Sequence, residues 1–163
     1  MKRILLAVLL ISGIQTINAQ GNYIQINGTT NVNSFKCTNE SFRNDNFSGS
    51  QLPDISLKVN DFDCQNRMMT KDFQKTLESE KYPNLSIKFV KITKSQNGYS
   101  AQIQVMMMDK NRTYQIAFSE QKEKWTGKKQ VRFSDFDIKP PRKMGGMIVV
   151  RDELDLIFSL TAK

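Results

Sequence analysis

The side chains most able to do chemistry in this sequence are two closely spaced acids, Asp61 and Asp63. A spacing of two places both on one face of a strand, where paired carboxylates can work as acid and base. The sequence offers them no partner, because it contains no His and no identifiable nucleophile or phosphate-binding glycine loop. His-based triads and His-containing metal sites are therefore excluded, and we expect no enzyme activity, no metal and no cofactor.

The two cysteines, Cys37 and Cys64, form the second candidate group. In an oxidising compartment such a pair is interpreted first as a disulfide, worth roughly 3–4 kcal/mol on the chain-entropy model. Two buried free thiols are the alternative. A redox or zinc site is disfavoured, since there is no CxxC motif and two thiolates do not complete a zinc shell.

The first residues have the composition of a secretory signal peptide. A basic start precedes a mostly apolar run at residues 4–14, and Ala19 offers a small residue at the cleavage point. The run is shorter than the about 20 residues that a transmembrane helix needs, and no lipoprotein Cys follows the cut. We therefore expect a signal peptide at 1–19 and one periplasmic or secreted domain at 20–163.

Positive charge is concentrated in residues 121–143, which hold eight Lys or Arg against three acids. The whole chain has a formal charge of +8, and Lys2 and Arg3 would leave with the signal peptide. One interpretation is a patch for an anionic membrane surface, and the other is ordinary solvated strand faces. A nucleic-acid partner is not expected, given export and the lack of a recognisable binding motif. The oligomeric state stays open.

The elements that must position these groups are mainly strands, because apolar and polar residues alternate along most of the chain. The apolar members of these runs are Ile24 and Ile26, Phe35 and Cys37, Ile55 to Val59, Leu85 to Phe89, Tyr99 to Met107, Tyr114 to Phe118, Val131 and Phe133, and Leu154 to Leu160. The phase slips at Asp135, which predicts a bulge. Strands with one apolar face form a sandwich or a closed barrel, and the pattern leaves open whether a barrel interior is filled.

A short helix interrupts the strands near residues 65–80. Met69, Phe73 and Leu77 recur at i, i+4 and i+8, which places them on one helical face. Tyr82-Pro83 is predicted to end the helix, because proline biases the preceding residue away from helical geometry. A helix placed in this way could close one end of a barrel.

Residues 59–89, VNDFDCQNRMMTKDFQKTLESEKYPNLSIKF, resemble the central signature of the YceI-like, polyisoprenoid-binding family. There a strand leads into a polar segment with Asn and Arg, then a helix ending in Tyr-Pro, then a strand. The segments 27–37 (NGTTNVNSFKC) and 132–160 (RFSDFDIKPPRKMGGMIVVRDELDLIFSL) extend the resemblance over nearly the whole domain. It implies an all-β, lipocalin-like antiparallel β-barrel of about eight strands, with an elongated cavity for an isoprenoid or similar lipid.

Twelve residues are candidates to line that cavity: eleven share the inward phase of the strands or the helix, and Tyr82 would lie at the end of the barrel in this fold. They are Phe35, Leu57, Val59, Phe73, Tyr82, Phe89, Ile103, Val105, Tyr114, Phe118, Phe133 and Phe158. Five further residues are candidates for a polar mouth that meets a phosphate or carboxylate headgroup: Asn66, Arg67, Lys71, Arg142 and Lys143. Core packing and ordinary surface charge are the respective alternatives.

Two functions remain at this point. The first is an exported protein that holds an isoprenoid or other amphipathic lipid, such as a fatty acyl species, in its barrel. The second is an envelope interaction protein with a filled barrel, which binds an anionic surface or partner through residues 121–143.

Overall fold

The structure of the protein is a computed structural model, and it describes residues 21–42 and 52–161. The strands are β1 (Tyr23–Thr30), β2 (Ser34–Asn39), β3 (Asp54–Lys58), β4 (Asn84–Ser95), β5 (Gly98–Met107), β6 (Lys110–Gln121), β7 (Lys124–Arg132), β8 (Arg142–Lys143) and β9 (Ile148–Thr161), and helix α1 (Arg67–Thr76) lies between β3 and β4. The predicted signal peptide lies outside the described residues and stays a prediction.

Eight strands form one sheet in the order β2-β1-β9-β7-β6-β5-β4-β3, with every neighbouring pair antiparallel. The sheet curls into a half-barrel, and the short β8 pairs with β9 beside it. The prediction of an all-β, lipocalin-like fold of about eight strands with one inserted helix is confirmed. The curl follows from the right-handed twist of each strand and from the inward apolar face that alternation creates.

The two sheet edges, β2 and β3, meet along a seam that is not a regular ladder. Thr38 and Asp63 exchange two backbone N–H to C=O hydrogen bonds of 2.9 Å each. The Asn39 side-chain amide donates to the carbonyl oxygen of Lys58 at 3.1 Å. The predicted disulfide between Cys37 and Cys64 is present and crosses the same seam. One covalent bond and a few hydrogen bonds therefore hold the two edges together.

Helix α1 begins at a side-chain cap. The Asn66 Oδ1 accepts hydrogen bonds from the backbone N–H groups of Met68 and Met69, at 2.9 and 3.2 Å, which satisfies two amides that the helix leaves unpaired. The predicted apolar face is confirmed, since Phe73 is buried and its ring centroid lies 5.2 Å from that of Phe62. Leu77, just after the last helical residue, is buried as well.

The helix ends earlier than the Tyr82-Pro83 pair predicts. Its last residue is Thr76, and Glu78 takes a left-handed backbone conformation with φ of 47°. The amides of Glu78 and Ser79 turn back to the carbonyl oxygens of Lys75 and Gln74. The helix therefore ends in a turn that precedes Pro83 in the sequence, and the proline does not determine where it ends.

The predicted bulge at Asp135 is wrong. Phe133–Phe136 form a single turn of 3-10 helix, and both phenylalanines are buried. An i, i+3 spacing puts two residues on the same side of such a turn, which accounts for the slipped phase. The Asp135 Oδ2 accepts a 3.0 Å hydrogen bond from the Arg132 amide, and Asp137 ends the turn with φ of 58°.

Aromatic side chains fill the half of the barrel that lies away from α1. The ring centroids of Phe118 lie 5.7 Å from Phe89 and 5.5 Å from Phe158. Trp125 stacks on Tyr99 with a centroid distance of 3.9 Å. All three phenylalanines are almost fully buried. This half therefore behaves as a packed core, which leaves the α1 end as the place for a cavity.

Candidate functional site

A cleft of about 1070 Å³ opens at the α1 end of the half-barrel. Its walls are α1, the hairpin between β1 and β2, the first residues of β9, and the segment of residues 141–148 that precedes and enters β9. Its volume lies at the upper end of the range for small-molecule sites.

The floor of the cleft is apolar and contains three of the predicted cavity residues, Phe35, Phe73 and Phe133. Leu154 of β9 is buried and also lines the cleft. Gly28 allows this arrangement, because a Cβ atom at that position would overlap the Phe35 ring and approach the Leu154 side chain. The glycine thus lets an aromatic ring lie flat across β1 at the cleft.

The rim of the cleft is polar on the helix side. Lys143 and Asp72 both line it, and the lysine Nζ lies 2.6 Å from the carboxylate Oδ1. This ion pair ties the segment before β9 to α1, across 71 residues of sequence. Asn66 lines the rim too, although its Oδ1 is already occupied by capping α1.

The other three mouth candidates lie on the same two segments but do not line the cleft. Arg67 begins α1 and Lys71 follows one turn later, and both are exposed. Arg142 precedes Lys143 on β8 and is exposed. Contact of these cations with a headgroup stays a prediction.

Nine of the predicted cavity residues lie elsewhere. Seven belong to the buried core, namely Leu57, Val59, Phe89, Ile103, Val105, Phe118 and Phe158. Val59 opens a short 3-10 turn rather than continuing β3 as its alternation suggested. Tyr82 is partly buried, with the Lys81 Nζ 4.8 Å from its ring centroid. A ligand contact for these residues stays a prediction.

The ninth, Tyr114, lies where β6 and β7 separate. Their ladder contains only four residue pairs, from Phe118 to Gln121 on β6. The Tyr114 hydroxyl donates a 2.8 Å hydrogen bond to the Asp135 carboxylate, and the Lys129 Nζ lies 5.7 Å from the tyrosine ring. Burial and then the hydrogen bond to Asp135 raise the pKa of Tyr114 well above its usual value. The tyrosine thus bridges the gap in the wall as a neutral donor.

Sequence reasoning missed the cleft residues on the segment before β9 and at its start. Met144, Ile148 and Val150 line the cleft, as do Met68 and Met69 of α1. The last strand was predicted only from Leu154 onward, so the apolar residues before it were not assigned to a strand. The unbroken apolar run from Met147 to Val150 is the signal that could have found them.

The basic residues of 121–143 do not form one unpaired face. Lys128 lies 2.8 Å from the Asp155 carboxylate, and Lys143 pairs with Asp72. The Nζ atoms of Lys124 and Lys129 lie over tyrosine rings, at 5.9 and 5.7 Å from the centroids. Half of the eight cations are thus engaged within the protein.

Within residues 21–42 and 52–161, no group of three or more acidic or cysteine side chains is placed to hold a metal ion. In the same described residues, no helix has the length and apolar character that a membrane crossing requires.

Comparison with known proteins places the chain among YceI-like domains. The YceI-like domain family model matches residues 12–162. Comparison with curated protein sequences found no significant match.

Solved structures with the same fold come from several bacteria. The BcnA protein of Burkholderia cenocepacia matches with a TM-score of 0.65 and 16% identity, over 86% of this chain and 96% of that one. The YCEI protein of Campylobacter jejuni matches with a TM-score of 0.56 and 14% identity, over 99% and 98%. A polyisoprenoid binding domain from Saccharophagus degradans, implicated in plant cell wall breakdown, matches with a TM-score of 0.52 and 6% identity, over 87% and 94%. At these identities the likeness concerns the fold.

Proposed function

The chain belongs to the YceI-like domain family, and from that premise we propose that it binds an isoprenoid or other amphipathic lipid in the cleft beside α1. The observation that carries the proposal is the cleft itself, which has an aromatic floor at Phe35, Phe73 and Phe133 and a charged rim at Lys143. The polyisoprenoid binding domain among the structural neighbours makes an isoprenoid the first ligand to test.

The apolar tail would supply most of the affinity. Each buried CH₂ group contributes about 0.8 kcal/mol, so ten groups give roughly 8 kcal/mol before the costs of binding, on the micromolar scale. The tail would lie against the aromatic floor, because the far half of the barrel is already filled by Phe89, Phe118 and Phe158. An anionic headgroup that extends out of the cleft would meet Arg67, Lys71 and Arg142, which are exposed on the two segments that carry the Lys143–Asp72 ion pair. The protein acts as a carrier and performs no catalysis.

The same proposal includes export to the periplasm or the cell exterior. The predicted signal peptide supports it, and so does the Cys37–Cys64 disulfide, since such bonds persist in oxidising compartments.

Native mass spectrometry of the purified protein, with an organic extract of the same sample, tests the proposal. We expect a co-purifying mass that the extract identifies as an isoprenoid or acyl species. Val150→Trp, which fills the cleft, should remove at least nine-tenths of that ligand. Val90→Trp makes the same change at an exposed position of β4 and should leave the ligand in place. A protein that stays free of ligand after incubation with polyprenyl and acyl lipids would overturn the proposal.

The second candidate is a filled-barrel interaction protein that binds an anionic partner through residues 121–143. The aromatic packing in half of the barrel favours it. This function predicts that Lys128→Glu with Lys129→Glu abolishes binding and that salt weakens binding steeply, whereas Val150→Trp has no effect. The carrier predicts the reverse pattern for all three.

A further inference from the structure

Exposed apolar side chains are collected around the mouth of the cleft. Val32, Met68, Met144 and Met147 are 64%, 74%, 65% and 66% exposed. We call these four the apolar rim. They are the most exposed large hydrophobic residues in the described part of the chain. They come from three segments that are far apart in sequence, so their shared location is a product of folding.

Hydrogen bonds and an ion pair hold the three segments together. Asn31, beside Val32, donates from its side-chain amide to the carbonyl oxygen of Met147 at 2.9 Å, and its backbone amide donates to Val149 at 3.1 Å. The Lys143–Asp72 ion pair joins the segment of Met144 to helix α1, which carries Met68. Met68 and Met144 both line the cleft.

The backbone conformation of residues 144–147 determines where two residues of the apolar rim lie. Met144, Gly145 and Gly146 have φ values of 52°, 65° and 96°, three consecutive left-handed residues. Only glycine adopts this region without strain, so a methionine there is held by its surroundings. The turn places Met144 and Met147 on either side of the two glycines, with both side chains about two-thirds exposed.

Cations surround the apolar rim. Arg67 precedes Met68, and Arg142 lies two residues before Met144. Lys71 and Lys36 are exposed at the same end. Three acids line the cleft: Asp72 is paired with Lys143, Asp155 is paired with Lys128, and Glu153 is exposed. Exposed methionines and a valine inside a ring of unpaired positive charge match the two attractions that a peripheral protein uses at a membrane, apolar insertion and contact with anionic lipid.

We propose that the apolar rim docks on an anionic phospholipid bilayer, with the cleft facing the acyl layer. The inference deepens the proposed function, because a carrier docked in this way would exchange its lipid without passing it through water. The docking surface is thus the cleft end of the molecule and not the outer strand faces of residues 121–143.

Vesicle flotation tests the inference with a matched pair of variants. Val32→Asp with Met147→Asp changes two rim residues that do not line the cleft, and Val90→Asp with Met106→Asp makes the same two changes on the exposed face of β4 and β5. On vesicles of phosphatidylcholine and phosphatidylglycerol without added isoprenoid, the rim variant should lose at least tenfold in partition coefficient. The control variant should change by less than twofold. Equal behaviour of the two variants would overturn the inference.

Charge-reversal variants and the depth of insertion into the bilayer give two independent tests of the inference. Arg67→Glu with Arg142→Glu should lower partitioning by about fivefold for each cation removed, whereas Lys91→Glu with Lys94→Glu should have little effect. Brominated lipid should quench the fluorescence of the tryptophan introduced by Met147→Trp. It should not quench the fluorescence of the tryptophan introduced by Val90→Trp. Absence of quenching at residue 147 would overturn the inference even if a charged variant failed to fold. Lipid retention by native mass spectrometry reports on the proposed carrier separately, and we expect the Val32 and Met147 variant to keep its ligand.

Discussion

Removal of the Cys37–Cys64 disulfide should destabilise the protein strongly, because this bond closes the seam between the two edges of the half-barrel. The cysteines are separated by 27 positions in sequence. A closed loop of that length contributes about 3.5 kcal/mol on the chain-entropy model. For a domain of this size, each kcal/mol corresponds to about 2–4 °C, so the melting temperature should fall by about 7–14 °C.

The seam offers few other contacts to offset the loss. Among residues 21–42 and 52–161, the hydrogen bonds across the seam are the two backbone bonds between Thr38 and Asp63 and the bond from the Asn39 side chain to Lys58. Without the covalent bond these links should open before the rest of the sheet. Hydrogen exchange at the Thr38 and Asp63 amides should therefore accelerate more than exchange at the β4–β5 ladder.

Urea denaturation of the oxidised protein, the reduced and refolded protein, and Cys37→Ala with Cys64→Ala gives the measurement. Both cysteines are buried, so the double variant also loses packing, and the reduced protein separates that contribution. The double variant should show the same midpoint with and without reductant, which serves as the control. If reduction lowers the free energy of unfolding by less than about 1 kcal/mol, the conclusion that the disulfide holds the two sheet edges together is wrong.

Three further changes probe the fold and its polar groups. Gly98→Ala should destabilise by more than about 1 kcal/mol, because φ is 139° and a Cβ there would overlap the Phe118 carbonyl oxygen, whereas Gly21→Ala, with no atom within 4 Å, should be neutral in the same denaturation assay. Tyr114→Phe should lower stability by about 1 kcal/mol at neutral pH. Since the folded pKa of Tyr114 is raised, the wild type binds the proton more tightly when folded, and that stability is lost as pH rises above about 10. The variant should show a shallower loss between neutral and strongly alkaline pH, and parallel curves would contradict this. Ser159→Ala should raise the melting temperature, because the buried Ser159 Oγ has no hydrogen-bond partner among the described residues, while Ser119→Ala on the exposed face should leave it unchanged.

The strands could be predicted because their signal is local. Leu154, Leu156 and Phe158 recur at every second position of β9, and the structure buries all three on its inner face. Helix α1 could be predicted in the same way, because Met69, Phe73 and Leu77 recur at the spacing of a helix with about 3.6 residues per turn. Residues 133–136 could not be assigned in this way, because a single 3-10 turn and a slipped strand give the same short pattern.

The candidate site was only partly predictable, because it depends on contacts that no local pattern encodes. Phe35 and Phe118 have the same inward phase, yet the first lines the cleft and the second fills the core. The difference arises from which neighbours pack against each ring. The ion pair of Lys143 with Asp72 likewise joins residues on separate elements, and their types alone gave no reason to pair them.

The disulfide across the seam also decides how the molecule would respond to a protease. A single peptide-bond cleavage anywhere between residues 38 and 63 would leave both fragments covalently joined through Cys37 and Cys64. After a cut between residues 58 and 63, the fragment that carries β3 would remain attached by the β3–β4 ladder as well. A nicked molecule would thus run as one species on a non-reducing gel and as two on a reducing gel. It would keep the cleft, because the residues that line the cleft lie at positions 27–36 and 64–155, outside that interval.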